Sequence, residues 1–163
     1  MQATDIDQAA YRRKLREASV AFGLERDRTH WVTLNTNREL SSRDAEARLR
    51  RWRVELMRRL HGRNFYMLSH EERFEFIGAP ELTGYGHPHF HLACSVPQPV
   101  RDRFIRHAER RWLDIVPSAT CHIEEMGATR MTRWKVLTYG MKGIDRNSSV
   151  IDSRLYQYSS PTT

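Results

Sequence analysis

Three imidazoles in five residues, His87-Pro88-His89-Phe90-His91, are the densest group of metal-ligating side chains in the chain. The stretch reads as a strand, and strand side chains alternate between faces. His89 and His91 then share one face, about 7 Å apart, while Phe90, Leu92 and Cys94 point the other way, into a core. His87 has the same parity and is a candidate further ligand. Two imidazoles leave an ion underbound. Glu81 closes the preceding predicted strand, across the turn Thr83-Gly84-Tyr85-Gly86, and is placed to add an oxygen. Two His and one carboxylate with open positions suit Mg²⁺ or Mn²⁺ held against a phosphate. A zinc hydrolase fits less well, because the chain has no His-Glu-x-x-His and no Cys pair. The other histidines (His30, His61, His70, His107, His122) are scattered and read as surface or core residues.

A second group lies further on. Lys135, Tyr139 and Lys142 fall at i, i+4 and i+7 of a predicted helix and share a face. The chain holds only three lysines among 27 basic residues, and two of them flank this tyrosine. A phenol becomes a strong nucleophile when deprotonated, and neighbouring cations favour the phenolate. On its own, this pattern also describes an ordinary amphipathic tyrosine between solvated lysines.

The elements that must position these groups follow from periodicity. A short helix and then a loop are expected over residues 1–28. Trp31-Val32-Thr33-Leu34-Asn35 alternates as a strand over 29–35. Ser41 and Ser42 can cap a helix of about 18 residues, in which Leu49, Trp52, Leu56, Met57 and Leu60 recur at three-and-four spacing up to Gly62. Residues 63–72 read as irregular. A strand over 73–80 stops at Pro80 and pairs antiparallel with the next, Pro88 to Val96. Pro97 and Pro99 open a helix carrying Val100, Phe104, Ala108 and Trp112. Residues 119–125 form another strand. Thr129 to Met141 form a helix that packs through Trp134, Leu137 and Met141 and is closed by Gly143. The order strand, helix, strand, strand, helix, strand, helix predicts an α+β fold, a central antiparallel β-sheet flanked by helices.

The 163 residues suffice for one domain with a real core. No apolar run approaches the roughly 18 residues of a membrane span. The polar start, Met1 to Ala10, does not read as a secretory signal. Two cysteines, Cys94 and Cys121, fit a reducing cytoplasm, though one disulfide stays open. A net charge of +7 implies a polyanionic partner, nucleic acid first among them.

His89-Phe90-His91 on a strand, followed about 50 residues later by Tyr139-Gly140-Met141-Lys142 on a helix, resembles the HUH endonuclease superfamily. Within it, the chain is similar to the single-tyrosine replication initiators (Rep proteins) of rolling-circle replicons. The strand Trp31 to Asn35 resembles the family's less specific first motif. The resemblance spans roughly residues 30–143 and implies a sheet related to the RNA-recognition fold. It implies an HUH endonuclease domain at 29–146; residues 1–28, with no counterpart in the family, are an N-terminal extension, and the Ser/Thr-rich stretch 147–163 reads as a flexible C-terminal tail. It assigns His89, His91 and Glu81 to the metal (Mn²⁺ or Mg²⁺), Tyr139 to the nucleophile and Lys142 to its assistance. Lys135, Asn35, Arg130 and Arg133 are candidate nucleic-acid contacts. The expected reaction is site-specific nicking and rejoining of single-stranded DNA through a 5′-phosphotyrosine. The expected partners are a replication origin, plausibly a hairpin, and a host or separate helicase, with no membrane involved. Tyr156 and Tyr158 lack a cationic partner in sequence and are not expected to serve as a second nucleophile. A transposase or mobilisation relaxase with the same chemistry stays open, as do a non-catalytic nucleic-acid binder on this fold and a phosphoesterase using water. A relaxase tyrosine typically precedes the His motif, whereas Tyr139 follows it.

Overall fold

A computed structural model describes residues 3–144 and 150–155. The chain is α+β, as expected. Helix α1 (Ala3–Glu25) leads to strand β1 (His30–Asn35), helix α2 (Ser42–His61), strands β2 (Glu75–Leu82) and β3 (Pro88–Ser95), helix α3 (Arg101–Ile115), strand β4 (Thr120–Glu125), helix α4 (Arg130–Gly140) and the short strand β5 (Ile151–Asp152). The sheet is antiparallel in the order β4-β1-β3-β2-β5. The segment β1-α2-β2-β3-α3-β4 is a split βαβ arrangement.

Alternation along the strands makes two cores. Val32, Leu34, Phe76, Phe90 and Leu92 face α2 and α3 and pack with Leu49, Trp52, Leu56, Phe104 and Trp112. Trp31, Ile77, Ala79 and Ala93 face the other way, onto Val20 of α1 and Leu137 of α4. The two large indoles of the first core also tie elements together. Trp52 Nε1 donates to the Ala108 carbonyl, and Trp112 Nε1 donates to the Asn35 carbonyl at the end of β1. Truncating a buried Trp to Ala costs about 3–5 kcal/mol, so Trp112→Ala should lower the melting temperature sharply and loosen the end of β1.

The expected cap of α2 holds, and α4 is capped in the same way. Ser41 Oγ accepts from the Asp44 amide at the start of α2, and Thr129 Oγ1 accepts from the Thr132 amide at the start of α4. The β2–β3 turn closes with Thr83 N–H donating to the His87 carbonyl and Gly86 N–H to Thr83, and Gly86 takes a φ of 79°.

Four expectations are corrected. Residues 3–25 form one helix of 23 residues rather than a short helix and a loop. Its buried stripe is small and broken by polar side chains, so periodicity understates it; packing on α4 and the sheet stabilises it. Strand β2 passes through Pro80 and ends at Leu82. Among the described residues β5 pairs only with Ile77 and Gly78, while toward β3 the strand continues through Pro80 to Leu82; a proline is tolerated where the ladder needs no donor from it. Within the expected tail, residues 151–152 add to β2, and Ser153 Oγ accepts from the Phe76 amide. Tyr156 and Tyr158 lie outside the described residues. Trp134 is half exposed; α4 seats instead through Leu137 and Gly140, with Met141 following in a 3-10 turn. Both cysteines are free.

Candidate active site

Glu81 and His89 are directly opposed across β2 and β3, and His91 is opposed to Ala79 two pairs along, on the same face. All three side chains leave the sheet on the α1/α4 face. Glu81 Oε2 lies 3.3 Å from His89 Nε2 and 3.5 Å from His91 Nε2. One ligand atom from each residue falls within 4.8 Å of the others, so the three form a group able to hold a metal ion. Donors bound to one ion at about 2.1 Å sit roughly 3 Å apart when at right angles, so little movement is needed. Glu81 is buried, and a carboxylate placed there beside two imidazoles suits a cation.

The imidazoles are set up as neutral ligands. Burial pushes the His91 proton affinity down to about 4, and His89 and Lys142 push the same way against the attraction of Glu81. Burial also lowers His89, outweighing Glu81. His91 Nδ1 is 3.2 Å from Thr33 Oγ1 on the adjacent β1, which leaves Nε2 facing Glu81. The Trp31 indole stacks on the same imidazole, with ring centres 5.7 Å apart. Contacts of this kind orient metal-bound histidines and are typically worth 10–100-fold in affinity. Thr33→Val should therefore weaken divalent-metal binding by about tenfold in titration calorimetry.

Tyr139 reaches the group from α4, over the same face of the sheet. Its ring centre is 6.4 Å from that of His91, and the side chain is 63% exposed, open to a polymeric partner. Lys142 joins the two groups. Its Nζ lies 4.1 Å from the centre of the Tyr139 ring and 3.7 Å from Glu81 Oε2. The helix can come this close only because residue 140 is glycine. A Cβ there would stand 1.8 Å from Trp31 Cη2. Gly143 likewise passes against the Pro80 carbonyl.

The remaining predicted residues are dispersed around this centre. His87 sits in the turn outside the triad, with its ring centre 6.2 Å from that of Tyr85. Asn35 is the register partner of His89, and its Nδ2 donates to Thr120 Oγ1. Lys135 is exposed one turn before Tyr139, and Arg130 is exposed in the first turn of α4. Arg133 is engaged by Asp27 at 2.9 Å and by the Gly127 carbonyl, so it ties α4 to the segment before β1. Glu75, the other carboxylate on β2, is buried at the strand's far end with Arg26, His70 and Arg73. Thr33, Trp31 and Gly140 are the positioning residues that sequence reading missed. Only strand parity hints at Thr33, and nothing local marks the other two.

No family model matches the chain, and no curated protein or solved structure is significantly similar to it. Among the described residues, no helix is long and apolar enough to cross a membrane.

Proposed function

We propose that this chain is a metal-dependent nicking and joining enzyme for single-stranded DNA, of the HUH type its motifs resemble, acting to initiate rolling-circle replication. The observation that carries this reading is the convergence of an exposed Tyr139 and Lys142 on the Glu81, His89 and His91 group. Glu81, His89 and His91 would hold Mg²⁺ or Mn²⁺, and the ion supplies Lewis-acid polarisation of the scissile phosphate. Tyr139 Oη loses its proton and forms a bond to phosphorus. The bond from phosphorus to the 3′ oxygen breaks, and that oxygen leaves as a free 3′-hydroxyl. The 5′ side stays on the protein as a phosphotyrosine, so a later 3′-hydroxyl can reverse the step without an energy source. Lys142, over the phenol ring and within reach of the triad, sits where the phosphate charge must be met. Lys135, Arg130 and Asn35 border the path of the strand.

The test uses a pool of single-stranded oligonucleotides with Mn²⁺, resolved on a denaturing gel. A covalent protein–DNA band that maps to the Tyr139 peptide and disappears with EDTA is expected. Cleavage with no protein-linked product would assign the nucleophile to water and overturn the reading. For the metal, Glu81→Ala should weaken Mn²⁺ binding by about a hundredfold or more in calorimetry; unchanged affinity removes Glu81 from the site.

A further inference from the structure

The sheet separates two chemically different surfaces. The α1/α4 face carries Tyr139 and the His/Glu group. The opposite layer, α2 against α3, carries arginines. The two helices run antiparallel, with Trp52 bonded to the Ala108 carbonyl. That brings the last turns of α2 beside the first turns of α3. Arg59, Arg103, Arg106 and Arg110 are all exposed there. Burial and then Arg59, Arg106, Arg111 and Arg110 lower the proton affinity of His107, and burial and then Arg103 lower that of His61, so the cations crowd one seam.

Asp44 accepts from Ser41 Oγ, and Asp102, exposed beside Arg103 in the first turn of α3, makes no ion pair among the described residues. The other acidic residues of these helices are engaged elsewhere. Glu46 pairs with Arg50, Glu55 with Arg51 and Asp114 with Arg111. Glu109 acts on Cys121 and so lies on the β4 flank. Among the described residues, none of Arg59, Arg103, Arg106 and Arg110 has a carboxylate within ion-pair distance. Along α3, arginines three and four residues apart stand about 5–6 Å from one another, a row of planar forks suited to phosphate oxygens. Ile105 is the one exposed large apolar side chain on these two helices among the described residues, which is too little to anchor in a lipid surface. Duplex DNA, with one charge per about 1.7 Å of axis, matches a rigid row of this kind.

We infer that the α2–α3 seam is a second nucleic-acid surface, which docks the phosphate backbone of duplex DNA on the side of the sheet away from Tyr139. The inference rests on the reading that the chain handles DNA. It gives the protein separate holds on a duplex and on the single strand to be cut.

The test is equilibrium binding of the full chain to a duplex oligonucleotide in EDTA, across a salt series. Each backbone contact contributes about 0.9 to the slope of log affinity against log salt. A triple variant, Arg103→Gln, Arg106→Gln and Arg110→Gln, should flatten the slope by about 2 to 3 and weaken binding at least about tenfold. A control variant, Arg50→Gln with Arg51→Gln, should stay within about twofold, since both arginines face carboxylates. Thermal melts check that every variant is folded. Duplex binding by the triple variant with an unchanged slope overturns the inference. So does wild-type binding to phosphatidylserine vesicles, lost in the triple variant, with no duplex binding. Adduct formation on a short single strand should be unchanged in the triple variant. If no adduct forms with any protein while duplex binding still depends on the seam, the nicking reading fails and the docking surface stands.

Discussion

Tyr139→Phe is expected to abolish the covalent DNA adduct, by at least about 10³-fold, with the protein otherwise intact. The substitution deletes one oxygen. The ring remains, so the packing on His91 and the Lys142 ammonium above the ring face can persist. Because the side chain is mostly exposed, the stability change should stay within about 0.5 kcal/mol. Single-strand affinity should change by less than about threefold, since phosphate contacts dominate it. Mn²⁺ affinity should not move, because the hydroxyl lies outside the proposed ligand set of Glu81, His89 and His91. Gel, melt and calorimetry together separate loss of the nucleophile from loss of the site. An adduct that survives the substitution would assign the nucleophile elsewhere.

Gly140→Ala is expected to damage both stability and activity through a single methyl group. The added carbon would overlap the Trp31 indole, with 1.8 Å to Cη2. Trp31 cannot simply rotate away, because it is buried in the second core and stacks on His91. Either α4 lifts or the indole drags the imidazole. Overpacking of this kind costs about 1–3 kcal/mol, visible as a lower melting temperature. The chemical cost is separate. A displacement of about 1 Å between Tyr139 and the metal group would slow attack about a hundredfold. Metal affinity should also fall if the indole moves, and hold if the helix moves. Wild-type melting and adduct yield in Gly140→Ala would show that the close approach of α4 to Trp31 is not needed.

Much of this site was legible because local rules decide it. Parity on β3 put His89 and His91 on one face and Phe90 and Leu92 in the core. Glu81 was readable because a hairpin fixes which residues face each other, and it opposes His89. The end of β2 was misread because Pro80 usually stops a strand; here the pairing with β3 continues through Pro80 to Leu82. The N-terminal helix was underestimated because it is held by contacts to α4 and the sheet rather than by a strong stripe of its own. Trp134 was placed on the packing face by hydrophobicity alone, but the α1 contact and Gly140 turn that side of α4 partly outward.

By itself, then, the sequence determined the element order, the antiparallel α+β class, the cap of α2 and the facing pair of histidines, because each depends on neighbours within a few residues or on one tight turn. Only the tertiary structure decided whether Tyr139 and Lys142 meet the His/Glu group. That depends on how α4 crosses the sheet, and the crossing is set by Gly140 against Trp31, Gly143 against Pro80 and α1 packed behind, contacts between residues far apart in the chain.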